Sequence, residues 1–300
     1  MNNKIEWGLK PMELKCSMKV LKTMLLGACV FLAVSGLFNE TCAGDSRLLM
    51  ATTTSTDNTG LLDYLAPRFE ADTGIELQWV AVGTGKALEL GKNCDVDILM
   101  VHAPAAEKQY IKDGYGILRS QIMYNDFVLI GPDSDPADIE GKTVSEALKV
   151  IKLKKSTFVS RGDESGTHKA EKSLWAGAGI AVPDKETWYI QTGQGMLSSI
   201  NIAAQMGGYT FTDRGTYIKY ESNLNKKPPL VVLVEGDKVL RNQYSVIKLN
   251  LGRCRNEREE SEIQARADKF IEWITSSKAQ ELIGNFRLLG KPLFIPNAGS

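Results

Sequence analysis

Residues 156–175 read STFVSRGDESGTHKAEKSLW, and this stretch decides the fold class. It opens with a short run, 156–160, whose β-branched and aromatic residues suit a strand. It closes in a segment that reads as a helix to about Trp175. Between them lies Arg161-Gly162-Asp163-Glu164-Ser165-Gly166-Thr167-His168, a turn of hydroxyls and glycines. The same unit occurs twice more. Residues 47–53 form a strand that enters Thr54-Ser55-Thr56-Asp57-Asn58, after which Leu61, Leu62, Leu65 and Phe69 fall at helical spacing. Thr73-Gly74 stops that helix. Residues 75–82 are strand-like, and Gly83-Thr84-Gly85 turns the chain into a short helix carrying Ala87, Leu88 and Leu90.

The alternation continues outward from these units. Strands are predicted over 96–101, 123–131, 188–191, 209–212, 230–234 and 243–249. Helices are predicted from 104 toward Gly114 and over 145–150, 196–206, 260–275 and 279–283. Strand and helix in alternation imply an α/β fold with parallel strands and helical crossovers. The pattern suits two α/β lobes, the first interrupted by the second. The chain would cross near 124–126 and return near 238–242, although periodicity alone does not dictate the interruption.

The three turns share a chemistry. The first N–H groups of a helix lack intrahelical partners and carry partial positive charge. Ser and Thr hydroxyls add donors, glycine lets the backbone approach a ligand, and such turns bind anions. In open α/β sheets, ligands sit at the carboxyl ends of the strands, where these turns lie. Each turn alone reads first as an ordinary N-cap or turn. Three together, one opened by Arg161, point to an oxyanion, whose geometry an Arg fork matches.

Composition limits the classes further. The chain has 300 residues, 43% hydrophobic, with 36 basic and 36 acidic side chains. No dense basic run is present, so a nucleic-acid partner is not expected. Any anion must be drawn by one local site. Lys19 and Lys22 precede the apolar run 24–37, and Thr41-Cys42-Ala43 offers a small-residue exit. That order is the signature of a secretory signal peptide, placed here at 1–43. The expected location is therefore periplasmic, or otherwise extracytoplasmic. Beyond the leader, Cys94 and Cys254 remain. Export permits a disulfide between them, and two separate thiols fit the sequence as well.

Signals for an enzyme are poor. No Gly-x-Ser-x-Gly elbow surrounds Ser160 or Ser165, and no Walker or complete Gly-x-Gly-x-x-Gly pattern occurs. The two histidines, His102 and His168, stand far apart, so neither a metal site nor a cofactor is expected. His102 reads as a strand-end residue. His168, at a helix start, serves either as a site residue or as a loop brace.

At these residues the chain resembles the tungstate-binding components of ATP-driven tungstate importers. The segments that carry the resemblance are Ala51-Thr52-Thr53-Thr54-Ser55, VAVGTGKA (80–87), DVDILMVHAP (95–104), residues 123–131, SRGDESGTH (160–168), TGQGM (192–196) and TDRGTY (212–217). The resemblance implies a two-lobed type II periplasmic-binding-protein fold. Each lobe would hold a central mixed sheet, with the ligand cleft at the hinge. It divides the chain into 44–124 as the first part of lobe I, 125–239 as lobe II and 240–300 as the second part of lobe I. It implies ligand contacts from Thr53, Thr54, Ser55, Thr84 and Gly85 in the first lobe. The second would supply Ser160, Arg161, Ser165, Gly166, Thr167 and His168, with the TGQGM and TDRGTY turns lining or bracing the cleft. The implied ligand is tungstate or molybdate, and the implied partners are an ABC-transporter permease and its ATPase. The competing expectations are an exported hydrolase using Ser165 or His168, and an exported sensor on the same fold.

Overall fold

The computed structural model describes residues 46–225 and 227–299. The expected signal peptide lies outside the described residues. The strands are β1 (Arg47–Thr53), β2 (Glu76–Val82), β3 (Ile98–Val101), β4 (Gly116–Pro132), β5 (Phe158–Ser160), β6 (Tyr189–Gln191), β7 (Tyr209–Asp213), β8 (Leu230–Val234), β9 (Arg241–Leu249), β10 (Arg287–Leu288), β11 (Lys291–Pro292) and β12 (Ile295–Pro296). The helices are α1 (Thr54–Asp57), α2 (Leu61–Thr73), α3 (Thr84–Lys92), α4 (Pro104–Lys112), α5 (Val144–Lys154), α6 (Gly166–Gly177), α7 (Met196–Met206), α8 (Arg214–Asn223), α9 (Glu257–Thr275) and α10 (Ser277–Asn285). None of the described helices is long and apolar enough to cross a membrane.

Two mixed sheets share one long strand. In the first, β2, β1 and β3 run parallel, and β9 and then β4 add antiparallel. In the second, β6, β5 and β7 run parallel, while β4 pairs antiparallel with both β7 and β8. The exchange occurs between adjacent residues of β4. Asp126 pairs with Arg241 of β9, and Phe127 pairs with Asp213 of β7. Both sheets are mixed, as the resemblance implies.

Alternating side chains on each strand feed separate cores. In the first sheet, Met50, Ile98 and Met100 pack on one face with Phe69 of α2 and Phe270 of α9. Ala51, Leu99 and Val101 point to the other face, with Ala87 of α3 and Tyr110 of α4. In the second sheet, Leu129 and Phe158 meet Leu148 of α5 and Trp175 of α6. Val128, Ile130 and Val159 meet Ile200 of α7 and Tyr220 of α8. Four core clusters on two sheets make two lobes, and the described residues form one compact unit.

Cys94, after α3, and Cys254, ahead of α9, are joined in a disulfide across 160 residues of sequence, with Cα atoms 6.5 Å apart. The Arg255 guanidinium donates to the Cys94 carbonyl at 2.7 Å and closes the same corner. A cross-link over so long a loop restricts the unfolded chain, at about 2–4 kcal/mol in typical cases. Replacing both cysteines by Ser is expected to lower the unfolding free energy by about that amount in urea denaturation. An unchanged midpoint would contradict the bridge.

Candidate functional site

The carboxyl ends of the parallel strands in both sheets open onto one cavity of about 1450 Å³. It collects the helix starts that follow those strands. From the first lobe come Thr53, Thr54 and Ser55 after β1, and Gly83, Thr84 and Gly85 after β2. From the second come Arg161, Ser165, Gly166 and Thr167 after β5, the Gly195-Met196 start of α7, and Asp213, Gly215 and Thr216 at the start of α8.

Thr53 caps α1 and is 3% exposed. Its Oγ1 accepts from the Thr56 N–H at 3.2 Å and lies 2.7 Å from Thr56 Oγ1 and 3.0 Å from Ser55 Oγ. His102, just past β3, approaches the same hydroxyls. Its Nε2 is 3.0 Å from Thr53 Oγ1 and 3.1 Å from Ser55 Oγ, and its Nδ1 is 2.9 Å from Asn242 Oδ1. The ring stacks on Tyr244 with centroids 4.7 Å apart. Asn242 Nδ2 in turn donates to Asn125 Oδ1 at 2.8 Å. Both His102 and Asn242 line the cavity.

In the second lobe, Ser165 caps α6 and accepts from the His168 N–H at 3.3 Å. The Asp163 carboxylate accepts from the Ser165 N–H at 3.2 Å and from Arg161 Nη2 at 2.5 Å. Burial pushes the Asp163 carboxyl up. Ser165 and the Arg161 guanidinium outweigh it and hold the group below the usual carboxylate range. Arg161 is thus gripped at one end of its fork, while its buried Nε has no partner among the described residues. Gly162 stands at φ +62°, and a Cβ there would lie 2.7 Å from Gln191 Cβ. Only glycine permits this approach of the loop to β6.

Two residues expected at the ligand lie off this cavity. Ser160 is fully buried at the end of β5 and does not line the cavity. Its hydroxyl donates to Glu171 Oε2 at 2.7 Å, because its strand position points it inward to α6. His168 is 3% exposed and also stands off the cavity. Its Nδ1 accepts the Glu164 N–H at 3.0 Å. Burial, aided by Lys172, lowers its pKa, so the ring is a neutral acceptor that braces the loop. Behind the loop, Glu171 also accepts from Trp175 Nε1 at 3.1 Å and from the Tyr189 hydroxyl at 2.7 Å. Burial pushes this carboxyl up against the pull of its three donors.

The two further turns divide their work. Thr192 donates to the carbonyls of Ser160 and Arg161 at 3.3 and 3.2 Å and so holds the loop. The TDRGTY segment is a strand end and helix cap, with Asp213 accepting from the Thr216 N–H at 2.8 Å. Arg214 clamps Asp126 at 2.6 and 2.5 Å and reaches Glu235 at 2.6 Å, beside the exchange point of β4. Lys219 of α8 donates to the Asn58 carbonyl from across the cavity.

Paired sheets, a shared crossing strand and a cavity between helix starts define a two-lobed binding protein. A family model described as the PBP superfamily domain matches residues 40–278. The tungstate-binding protein TupA of Campylobacter jejuni is 52% identical over 244 residues, 81% of this chain and 88% of that protein. The solved tungstate-binding protein TupA from Desulfovibrio alaskensis G20 superposes with a TM-score of 0.80 at 61% identity, over 84% of this chain and 99% of that one. The structure titled as the tungstate ABC transporter from Geobacter sulfurreducens gives a TM-score of 0.68 at 41% identity, over 80% and 98%. The chain belongs to the PBP superfamily, within the family of tungstate-binding proteins.

Proposed function

We propose that the protein captures tungstate outside the cytoplasmic membrane and delivers it to an ABC importer. Molybdate, of nearly the same size and charge, is the competing ligand. The observation that carries this function is the convergence on one cavity of hydroxyls, helix starts and an Arg from both lobes. They are the hydroxyls of Thr53, Thr54, Ser55, Thr84 and Thr167, the helix starts at Gly85 and Gly166, the Ser165 cap and Arg161. Such donors make charge-assisted hydrogen bonds to a fully ionised oxyanion.

The cavity is larger than one small oxyanion needs. Donors from the two lobes meet a common ligand only when the cleft narrows. The anion therefore shifts the population toward a closed form, with β4 and β9 as the crossing strands. The lobes divide as 44–124 with 240–300, and 125–239. The leader 1–43 directs export, and a permease with its ATPase accepts the closed protein.

Capture needs no covalent step, and the Ser165–His168 pair of the hydrolase reading is not arranged for one. The Ser165 hydroxyl serves as a cap, and the neighbouring His168 ring nitrogen is engaged by a backbone N–H. A nucleophile would need a free base beside it.

Calorimetric titration with tungstate, molybdate, sulfate and phosphate tests the assignment. Tight binding of tungstate at a single site, with sulfate and phosphate inert, is the expected outcome. Absence of heat with all of these anions would rule out oxyanion capture.

A further inference from the structure

His102 sits in the cavity wall with both ring nitrogens engaged. In the neutral ring, Nδ1–H donates to Asn242 Oδ1 at 2.9 Å and Nε2 carries a lone pair. Thr53 Oγ1 and Ser55 Oγ stand 3.0 and 3.1 Å from that lone pair. One of their hydroxyl hydrogens must then turn toward the imidazole and is lost to any ligand. An imidazolium reverses the polarity, since both of its nitrogens donate. Nε2–H then serves the two oxygens, and the hydroxyl hydrogen that had faced the imidazole becomes available to a ligand in the cavity.

We propose that His102 is the positioning residue of this site: it takes up a proton at Nε2 as the dianion binds and thereby aims the Thr53 and Ser55 hydroxyls at the ligand. The inference rests on the oxyanion function proposed above. The proton comes from the buffer acid, the Nε2–H bond is the bond that forms, and the imidazolium adds a positive charge beside the anion.

The surroundings suit a ring that changes state. Burial lowers the His102 pKa, so the ring is neutral near pH 7 without the anion. Around it, Asn242 and Tyr244 come from β9, Thr53 from β1 and Ser55 from α1. All are uncharged, and burial pushes the Tyr244 phenol up so that it stays protonated. The Asp213 carboxylate at the start of α8 favours the imidazolium. The cations Arg161, Lys169, Lys219 and Arg241 line the same cavity. An incoming dianion adds its negative charge to that of Asp213 and tips the ring to its charged form.

Tungstate titrations at pH 7.5 in buffers of different ionisation heat count the protons. About one proton taken up per anion is expected, with affinity falling about tenfold per pH unit above the pKa of the free ring. The chain has 2 histidines, which allows a clean control. His102→Gln keeps an uncharged N–H donor near the hydroxyls, and its binding heat should become independent of buffer. Uptake should persist in His168→Asn. Tight binding by the unaltered protein with no proton uptake would overturn the role of His102 and leave the capture function standing. Uptake that survives His102→Gln would overturn it too. No tungstate binding by the unaltered protein would remove the capture function and this inference together.

Discussion

Arg161→Ala is expected to weaken tungstate binding by about a hundredfold or more, since losing one partner of a desolvated charge-assisted pair costs about 2–5 kcal/mol. The structure explains why the loss should be large. Asp163 holds Nη2 of the guanidinium at 2.5 Å, so the fork is oriented before the anion arrives. Its Nε is buried and unspent. Little ordering is left to oppose binding at that side chain, in keeping with preorganised recognition. Arg161→Lys should not restore the affinity, because an ammonium lacks the planar fork. Calorimetry on the variants decides the matter. An affinity equal to that of the unaltered protein would place the anion in another part of the cavity.

Glu171→Ala is expected to be the most damaging substitution for stability, at about 3–5 kcal/mol. It strips the shared acceptor from Ser160, Trp175 and Tyr189, three donors in the core of the second lobe. The loss would also loosen the end of β5, from which the Arg161 loop springs. Glu171→Gln separates packing from charge. Burial raises the folded-state pKa of Glu171 above 4.5, its ordinary value. The folded state therefore binds that proton more tightly, and the stabilisation is lost as pH rises through the folded-state pKa. Glutamine does not titrate, so its stability relative to the unaltered protein should improve from pH 5 to pH 8. Urea unfolding at the two pH values measures the difference, and a constant gap would show that Glu171 does not change ionisation state differently in the two states.

Some elements escaped a local reading for definite reasons. Residues 117–121 carry no apolar alternation and are exposed or half-buried, yet they form the first half of β4 because β9 pairs with them. The helix α8 begins inside TDRGTY and has no apolar stripe of regular spacing. It is held by its Asp213 cap and by Tyr217, Ile218 and Tyr220 against the lobe. Tertiary pairing and packing outweighed weak periodicity in both places. The place of His102 was legible, since it follows an apolar strand and so falls at the carboxyl end of a sheet. Asn242, its partner 140 residues away, gave no local sign.

The sequence by itself determined the strand–turn–helix units, their hydroxyl and glycine chemistry, and the presence of Arg161 among them. These are local properties, set by side-chain spacing and by the donors a helix start leaves open. Only the tertiary structure decided which of those groups face the cavity. Ser160 and Ser165 lie in one turn, yet the first points into the core at Glu171 and the second toward the cavity. The direction of a side chain at a strand end depends on the register and packing of that strand. Those are fixed by partners distant in sequence, Tyr189 for β5 as Asn242 is for His102.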